Sequence, residues 1–228
     1  LEKILFSCLV LLAVLSILFI QPIGERVEFI YWNAIPLSNL LRLFMSSFLA
    51  VFSPGYLILN LMSKNRNLTA IEKIFFSIII SLFLLPLLGL LSFALKSNIQ
   101  QFAVPSIILL NIVLLIPYIF HRKERQEVSE ESSSGLNEKL ILILLLIFIL
   151  VLMTSKYSLN LTWDYGDLDN IYGWSLSFTK SAVPLSPTGP GLNYPFWSFI
   201  FFAECFILSG IPSINTFQFL SIPITLSL

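Results

Sequence analysis

The chain has 228 residues, of which 57% are hydrophobic and only 11% are charged. Soluble domains carry roughly 25% charged residues, so this composition excludes an ordinary soluble protein and indicates an integral membrane protein. Thirteen basic residues balance thirteen acidic ones, and a net charge of zero gives no reason to expect a nucleic-acid partner. We therefore expect an all-α fold, a polytopic bundle of transmembrane helices whose surroundings are the lipid bilayer.

Apolar runs along the chain predict about six to seven membrane spans. The first four cover residues 4–20, 40–62, 74–95 and 102–120. The strongest run, residues 140–153, predicts a fifth span, and residues 196–208 predict a sixth. A seventh begins at Phe217 and reaches about half of the ~20 residues that cross a bilayer. We therefore expect the chain to be truncated at its C-terminus.

Local signals in the second and third spans predict specific contacts. Pro54 removes one backbone donor and kinks the helix, so we expect neighbouring helices to satisfy the freed carbonyl. Thr69 and Glu72 have the spacing of a capping box, in which hydroxyl and carboxylate satisfy free backbone donors at a helix start. The third span is therefore expected to begin with a capped helix.

The chain divides into three regions whose orientation follows from its basic residues. Residues 1–121 form a four-span N-terminal module, residues 122–139 a charged, serine-rich linker, and residues 140–228 a second membrane region. Lys and Arg accumulate in cytoplasmic segments, and a cytoplasmic N-terminus puts eight of the thirteen inside and five outside. This bias predicts a multi-pass cell-membrane protein with a cytoplasmic linker and an extracytoplasmic loop, residues 155–195.

That loop contains all three aspartates of the chain, Asp164, Asp167 and Asp169. A carboxylate at the edge of a membrane can act as a general base or bind a divalent cation. If the segment is helical, Asp164 and Asp167 are neighbours, whereas in an extended segment Asp167 and Asp169 share a face. Asp167 is therefore the first candidate for catalysis. The alternative is that these carboxylates are merely solvated or cap a helix.

Aromatic residues flank the aspartates on both sides. Tyr165, Tyr172, Trp174 and Tyr194 are candidates for binding a substrate by stacking against a sugar ring. The alternative is the aromatic belt that is common at membrane interfaces. The sequence does not indicate which residues would bind a metal, and the metal ligands are unknown. A divalent cation is the cofactor that the carboxylates suggest.

Residues 40–93 resemble a module of unknown function that occurs in archaeal and some bacterial polytopic membrane proteins. The resemblance rests on Phe52-Ser53-Pro54-Gly55-Tyr56-Leu57, on a short polar turn followed by Leu68-Thr69-Ala70-Ile71-Glu72-Lys73, and on Pro86-Leu87-Leu88-Gly89 in the next span. It implies a location in the membrane and no particular activity.

The second half resembles the start of a GT-C type membrane glycosyltransferase. The matching residues are Asp164-Tyr165-Gly166-Asp167-Leu168-Asp169 and Asn193-Tyr194-Pro195-Phe196-Trp197. The resemblance implies a lipid-linked sugar donor, a polyprenyl phosphate, and transfer to an acceptor on the extracytoplasmic face. Many relatives have a histidine shortly after the aspartate, where this chain offers Asn170, Tyr172 and Trp174.

Glu204 leads to a competing hypothesis, because it lies within the predicted span 196–208. A charged side chain there costs about 2.5 to 3.5 kcal/mol on insertion scales, so the carboxyl should be protonated, paired or facing a polar cavity. Intramembrane acids often relay protons or bind ions. The alternative function is therefore a non-enzymatic multi-pass protein that binds or transports a lipid or ion, and a third is an inactive scaffold for a partner.

Overall fold

The computed structural model of the protein describes residues 2–22, 36–62, 68–95, 97–120 and 196–211, with Gly173, Ser175, Leu176 and Thr179. All regular structure in these residues is helical, which confirms the all-α expectation for this part of the chain. The predicted fifth and seventh spans and the linker lie outside it.

Six α-helices follow one another in the described residues. They are α1 Glu2–Phe19, α2 Leu37–Ser47, α3 Ser53–Met62, α4 Ala70–Ala94, α5 Ile99–Phe120 and α6 Phe196–Ser209. A π-helical turn, Phe48–Phe52, joins α2 to α3, so that Leu37–Met62 is one continuous helical segment.

Three of these helical segments are long and apolar enough to cross a membrane. They are Leu37–Met62, Ala70–Ser92 and Ile99–Phe120, and they correspond to the second, third and fourth predicted spans. The 18 residues of α1 cover about 27 Å, close to the ~30 Å of a hydrocarbon core. Large apolar side chains on α1, α4 and α5 are exposed, as expected of surfaces that face lipid: Leu5, Leu11, Leu15, Phe83, Leu91, Leu109 and Ile116.

The segments α1, Leu37–Met62, α4 and α5 alternate in direction, and polar contacts mark the two ends of the bundle. Lys3 Nζ donates to the carbonyl of Tyr118 at 3.2 Å, so α1 begins beside the end of α5. Arg42 Nη1 donates to the carbonyl of Ile20, so α2 begins beside the end of α1. We call these the Lys3 end and the Arg42 end; by the Lys and Arg bias, the Arg42 end is expected to be extracytoplasmic.

The start of α4 has the capping box that the sequence predicts. The backbone N–H of Thr69 donates to Glu72 Oε2 at 2.8 Å, and the backbone N–H of Glu72 donates to Thr69 Oγ1 at 3.3 Å. Two backbone donors at the helix start are thus satisfied reciprocally. This prediction is confirmed.

Pro54 creates the π-helical turn and leaves one carbonyl without a backbone donor. The N–H of Ser53 donates to Phe48 O, five residues back, and Pro54 has no N–H. The N–H of Gly55 donates to Ser81 Oγ at 2.9 Å. The carbonyl of Leu49 would accept from residue 53 in an α-helix or from residue 54 in a π-helix, and neither residue donates to it here. Asn111 Nδ2 of α5 donates to this carbonyl instead, at 3.1 Å. This contact confirms that a neighbouring helix satisfies the carbonyl that the proline frees.

We expect Asn111→Leu to lower the stability of the bundle by about 1 to 3 kcal/mol, because it leaves the buried carbonyl of Leu49 without a donor. Asn60→Leu is a matched control, since among the described residues Asn60 Nδ2 bonds the carbonyl of Tyr56 in its own helix, at 2.7 Å, and not another helix. Thermal unfolding of the two variants in detergent measures the difference. Equal unfolding temperatures would contradict the role assigned to Asn111.

The contact between α3 and α4 is a close approach of two backbones. A Cβ atom added to Gly55 would lie 1.9 Å from the carbonyl oxygen of Ser77 and 2.8 Å from Ser81 Oγ. Only glycine, which has no side chain, allows this separation. The bond from the Gly55 N–H to Ser81 Oγ then ties the two helices together.

Near the Lys3 end, an aromatic cluster joins α1 to α3 and α5. The ring of Phe6 lies 4.3 Å from that of Tyr56 and 5.8 Å from that of Tyr118, centroid to centroid. Such contacts add to the stabilisation that burial of the rings provides. The cluster therefore fixes α1 against the helices that follow it.

The sixth predicted span is a helix, but its contacts differ from those of the other helices. Near the start of α6, Ile200 packs with Ile99 and Ala103 in the first turns of α5. At its end, the carbonyl of Ser209 accepts a hydrogen bond from Arg42 Nε at 2.6 Å. Both contacts lie toward the Arg42 end, so α6 crosses the bundle there instead of running along it. Its 14 residues cover about 21 Å.

Candidate functional site

The aspartates and aromatic residues predicted from the sequence lie outside the described residues. Of the loop 155–195, the structure describes Gly173, Ser175, Leu176 and Thr179. Ser175 and Thr179 are buried, and the N–H of Thr179 donates to the carbonyl of Ser175 at 3.3 Å, as in a helical turn. The residues whose assignment stays a prediction are Asp164, Asp167, Asp169, Tyr165, Tyr172, Trp174 and Tyr194.

The C-terminal end of the loop leads directly into α6. This helix begins at Phe196, immediately after the sequence Asn193-Tyr194-Pro195. One turn further on, Ile200 packs against Ile99, the first residue of α5. The first turns of α6 therefore lie near the Arg42 end, beside the start of α5.

Glu204 is a buried carboxyl that the structure does describe at this end of the bundle. Its side chain is fully buried, and neither carboxyl oxygen has a hydrogen-bond partner among the described residues. Burying a charge without a partner is costly, and such a group normally becomes neutral instead. The carboxyl of Glu204 is therefore expected to be protonated in this arrangement.

Gly89 of α4 makes the space that the Glu204 side chain occupies. A Cβ atom added to Gly89 would lie 3.2 Å from Glu204 Oε1 and 2.2 Å from Ile200 Cγ2. The carbonyl of Gly89 accepts a hydrogen bond from Ser92 Oγ at 2.6 Å, so the polar groups beside the glycine bond each other. The position of α4 that faces the carboxyl, Gly89, therefore has no side chain.

Arg42 closes the same end of the bundle, although its hydrogen bonds go to backbone oxygens. Its guanidinium donates to the carbonyls of Ser209 and Ile20. Ser209 is the last residue of α6, and Ile20 directly follows α1. An arginine can hold two acceptors at once because its donors form a rigid planar fork. Arg42 of α2 therefore ties together the ends of α1 and α6.

The described residues do not form a metal centre. No group of three or more His, Cys, Asp or Glu side chains is assembled among them. Chemically, Glu204 with Gly89 can hold a proton or donate one hydrogen bond, because a protonated carboxyl has one O–H donor and spare acceptor capacity.

Sequence reasoning identified Glu204 but not the residue that faces it. Gly89 belongs to the motif Pro86-Leu87-Leu88-Gly89, yet nothing in the motif indicates which helix packs on this glycine. The burial of Ser92 and Ser81 on the same helix is a further signal, since small and polar residues are typical of contact faces between membrane helices.

No family model matches this chain, and neither a curated protein nor a solved structure matches it.

Proposed function

We propose that the chain is a membrane glycosyltransferase, or part of one, that transfers a sugar from a polyprenyl-phosphate donor on the extracytoplasmic face. The observation that carries the proposal is the position of α6. It follows directly on the aspartate loop and packs at the Arg42 end of the bundle, which the Lys and Arg bias assigns to the extracytoplasmic side. The loop residues and the headgroups that hold the donor phosphate would then lie at the same depth.

In the proposed reaction, Asp167 acts as the general base. It removes the proton of the acceptor hydroxyl while the acceptor oxygen bonds the anomeric carbon of the sugar. The bond between that carbon and the phosphate oxygen breaks, and its electron pair leaves with the polyprenyl phosphate. Attack opposite the leaving group inverts the anomeric configuration. Asp164 and Asp169 are the further acidic candidates.

A divalent cation is a second way for the aspartates to act. Carboxylate oxygens are the usual ligands of such cations, and a bound cation would supply charge neutralisation for the leaving phosphate. Tyr165, Tyr172, Trp174 and Tyr194 are proposed to bind the sugar or the lipid donor through their ring faces. The missing histidine after the aspartates favours the base role of Asp167 over the metal role.

The test is transfer of radiolabelled sugar from polyprenyl phosphate in membranes that contain the protein. We expect transfer with at least one of several sugar donors, and none in matched membranes without the protein. Addition of a chelator then separates the two roles of the aspartates, because only the metal role requires activity to fall. Absence of transfer with every donor would contradict the proposal.

Glu204 favours a second candidate function, a non-enzymatic protein that binds or transports an ion or lipid. The observation behind it is the fully buried carboxyl without a hydrogen-bond partner among the described residues. Flux of a solute across proteoliposomes in the absence of any sugar donor distinguishes it. Such flux without sugar transfer would favour this candidate.

A further inference from the structure

We propose that Glu204 is a proton-exchange site, a carboxyl inside the bundle that takes up and releases a proton in the folded protein. The inference holds whether or not the chain transfers a sugar. It rests on three features of the described residues: the missing hydrogen-bond partners, the lack of a side chain at Gly89, and the position of α6 near one end of the bundle.

The surroundings of Glu204 fit a proton better than a metal cation. Calcium takes six to eight oxygen ligands, and magnesium requires six in near-ideal geometry. Opposite Glu204 the structure places Gly89, which has no side chain to act as a ligand and whose carbonyl already accepts a hydrogen bond from Ser92 Oγ. In the described part of the chain no third acidic, histidine or cysteine group completes a metal site. A proton, in contrast, needs only one carboxyl oxygen.

The contact at Gly89 allows the carboxyl to be reached by a small movement. No hydrogen bond to a described residue holds either oxygen of Glu204, and the facing residue has no side chain that would interlock with it. Separation of α6 from α4 therefore breaks packing contacts but no polar bond of the carboxyl. Such a local opening costs less than unfolding of the bundle.

The position of α6 shortens the path between Glu204 and water. Four residues before Glu204, Ile200 packs against the first residue of α5. Five residues after it, the carbonyl of Ser209 accepts a hydrogen bond from Arg42. Both neighbours lie toward the Arg42 end, so the carboxyl is nearer to that end than to the centre of the bundle. A proton can therefore arrive from one side without crossing the whole membrane.

Few charged or titratable groups face Glu204 from the described helices. Cys205 adjoins it on α6 and is also buried. Arg42 of α2 is the cation at the same end of the bundle, whereas Glu72 and Lys73 begin α4 sixteen or more residues from Gly89, about 24 Å away. The titratable groups of α1, α3 and α5 are Glu2, Lys3, Cys8, Tyr56 and Tyr118. Arg42 is thus the described cation best placed to stabilise an ionised Glu204.

The experiment is labelling of the complete protein in membranes with an apolar carbodiimide, a reagent that adds to protonated carboxyl groups. The acid proton passes to one carbodiimide nitrogen while the carboxyl oxygen bonds the central carbon. The acyl group then migrates to nitrogen and gives a stable N-acylurea, so no group leaves. Mass spectrometry of the peptide that contains Glu204 measures the adduct at each pH, in wild-type protein that a size-exclusion profile shows to be folded.

We expect an adduct at Glu204 at low pH, and a labelling rate that falls about tenfold per pH unit once the carboxyl has titrated. Glu72, exposed and hydrogen-bonded to Thr69, is the internal control and should stay unlabelled at neutral pH. Glu204→Gln should remove the adduct. Labelling that is constant from about pH 5 to about pH 10, or a Glu204 peptide that stays unmodified at the lowest pH, would overturn the proposal. Neither result depends on sugar transfer, which is measured separately.

Discussion

Gly55→Ala is expected to destabilise the packing of the N-terminal helices more than any other substitution considered. The new Cβ would lie 1.9 Å from the carbonyl oxygen of Ser77 and 2.8 Å from its carbonyl carbon. Both are backbone atoms, so the clash is relieved only if α3 and α4 move apart. That movement also breaks the hydrogen bond from the Gly55 N–H to Ser81 Oγ. We expect a loss of stability of about 3 kcal/mol or more, at the upper end for an overpacked interior.

Two other glycines provide graded controls for this substitution. An added Cβ at Gly173 would meet nothing within 4 Å, and at Gly89 it would meet the side chain of Ile200, which can change rotamer more easily than a backbone can move. Thermal unfolding in detergent should therefore rank Gly173→Ala as most stable, Gly89→Ala next and Gly55→Ala last. A Gly55→Ala protein as stable as Gly173→Ala would show that α3 and α4 do not approach this closely.

Local features of the N-terminal helices were predictable because they depend on residues close together in the chain. Thr69 and Glu72 of the capping box are three positions apart, and the defect at Pro54 follows from its missing N–H. The partner that repairs this defect was not predictable. Asn111 is 62 residues away from Leu49, and a single asparagine in an apolar helix gives no indication of the carbonyl that it bonds.

The path of α6 could not be predicted from the sequence either. Hydrophobicity predicts that residues 196–208 form an apolar helix, and this is confirmed, but it does not determine the angle at which the helix packs. That angle depends on Gly89, which lets α6 approach α4, and on Arg42, which bonds its last carbonyl. For Glu204, the sequence predicted a carboxyl whose burial as a charge is unfavourable. The structure shows that this carboxyl lies opposite Gly89 and has no hydrogen-bond partner among the described residues. The aspartate site lies outside the described residues and stays a prediction.

Asp167→Asn has the largest effect that we expect on activity. Asparagine has nearly the same shape as aspartate but cannot accept a proton at neutral pH. General base catalysis contributes about 10²- to 10⁴-fold to a rate, and we expect a loss of that size in sugar transfer. Because the substitution is close to isosteric, protein level should be unchanged.

Two kinds of control separate a role in catalysis from a general effect of lost charge. Asp164→Asn and Asp169→Asn remove the same charge from the same loop and should reduce transfer less than Asp167→Asn does. Glu72→Gln removes a carboxylate at the Lys3 end, where it caps α4, and should leave the transfer rate per folded molecule unchanged.

The most direct test of the proposed function is the initial rate of sugar transfer from polyprenyl phosphate, measured for wild-type protein and Asp167→Asn in membranes with equal amounts of protein. We predict transfer by the wild type and a loss of about 10²-fold or more in the variant. Equal rates in the two proteins would contradict the assignment of Asp167 as the base, and no transfer by either would contradict the glycosyltransferase itself.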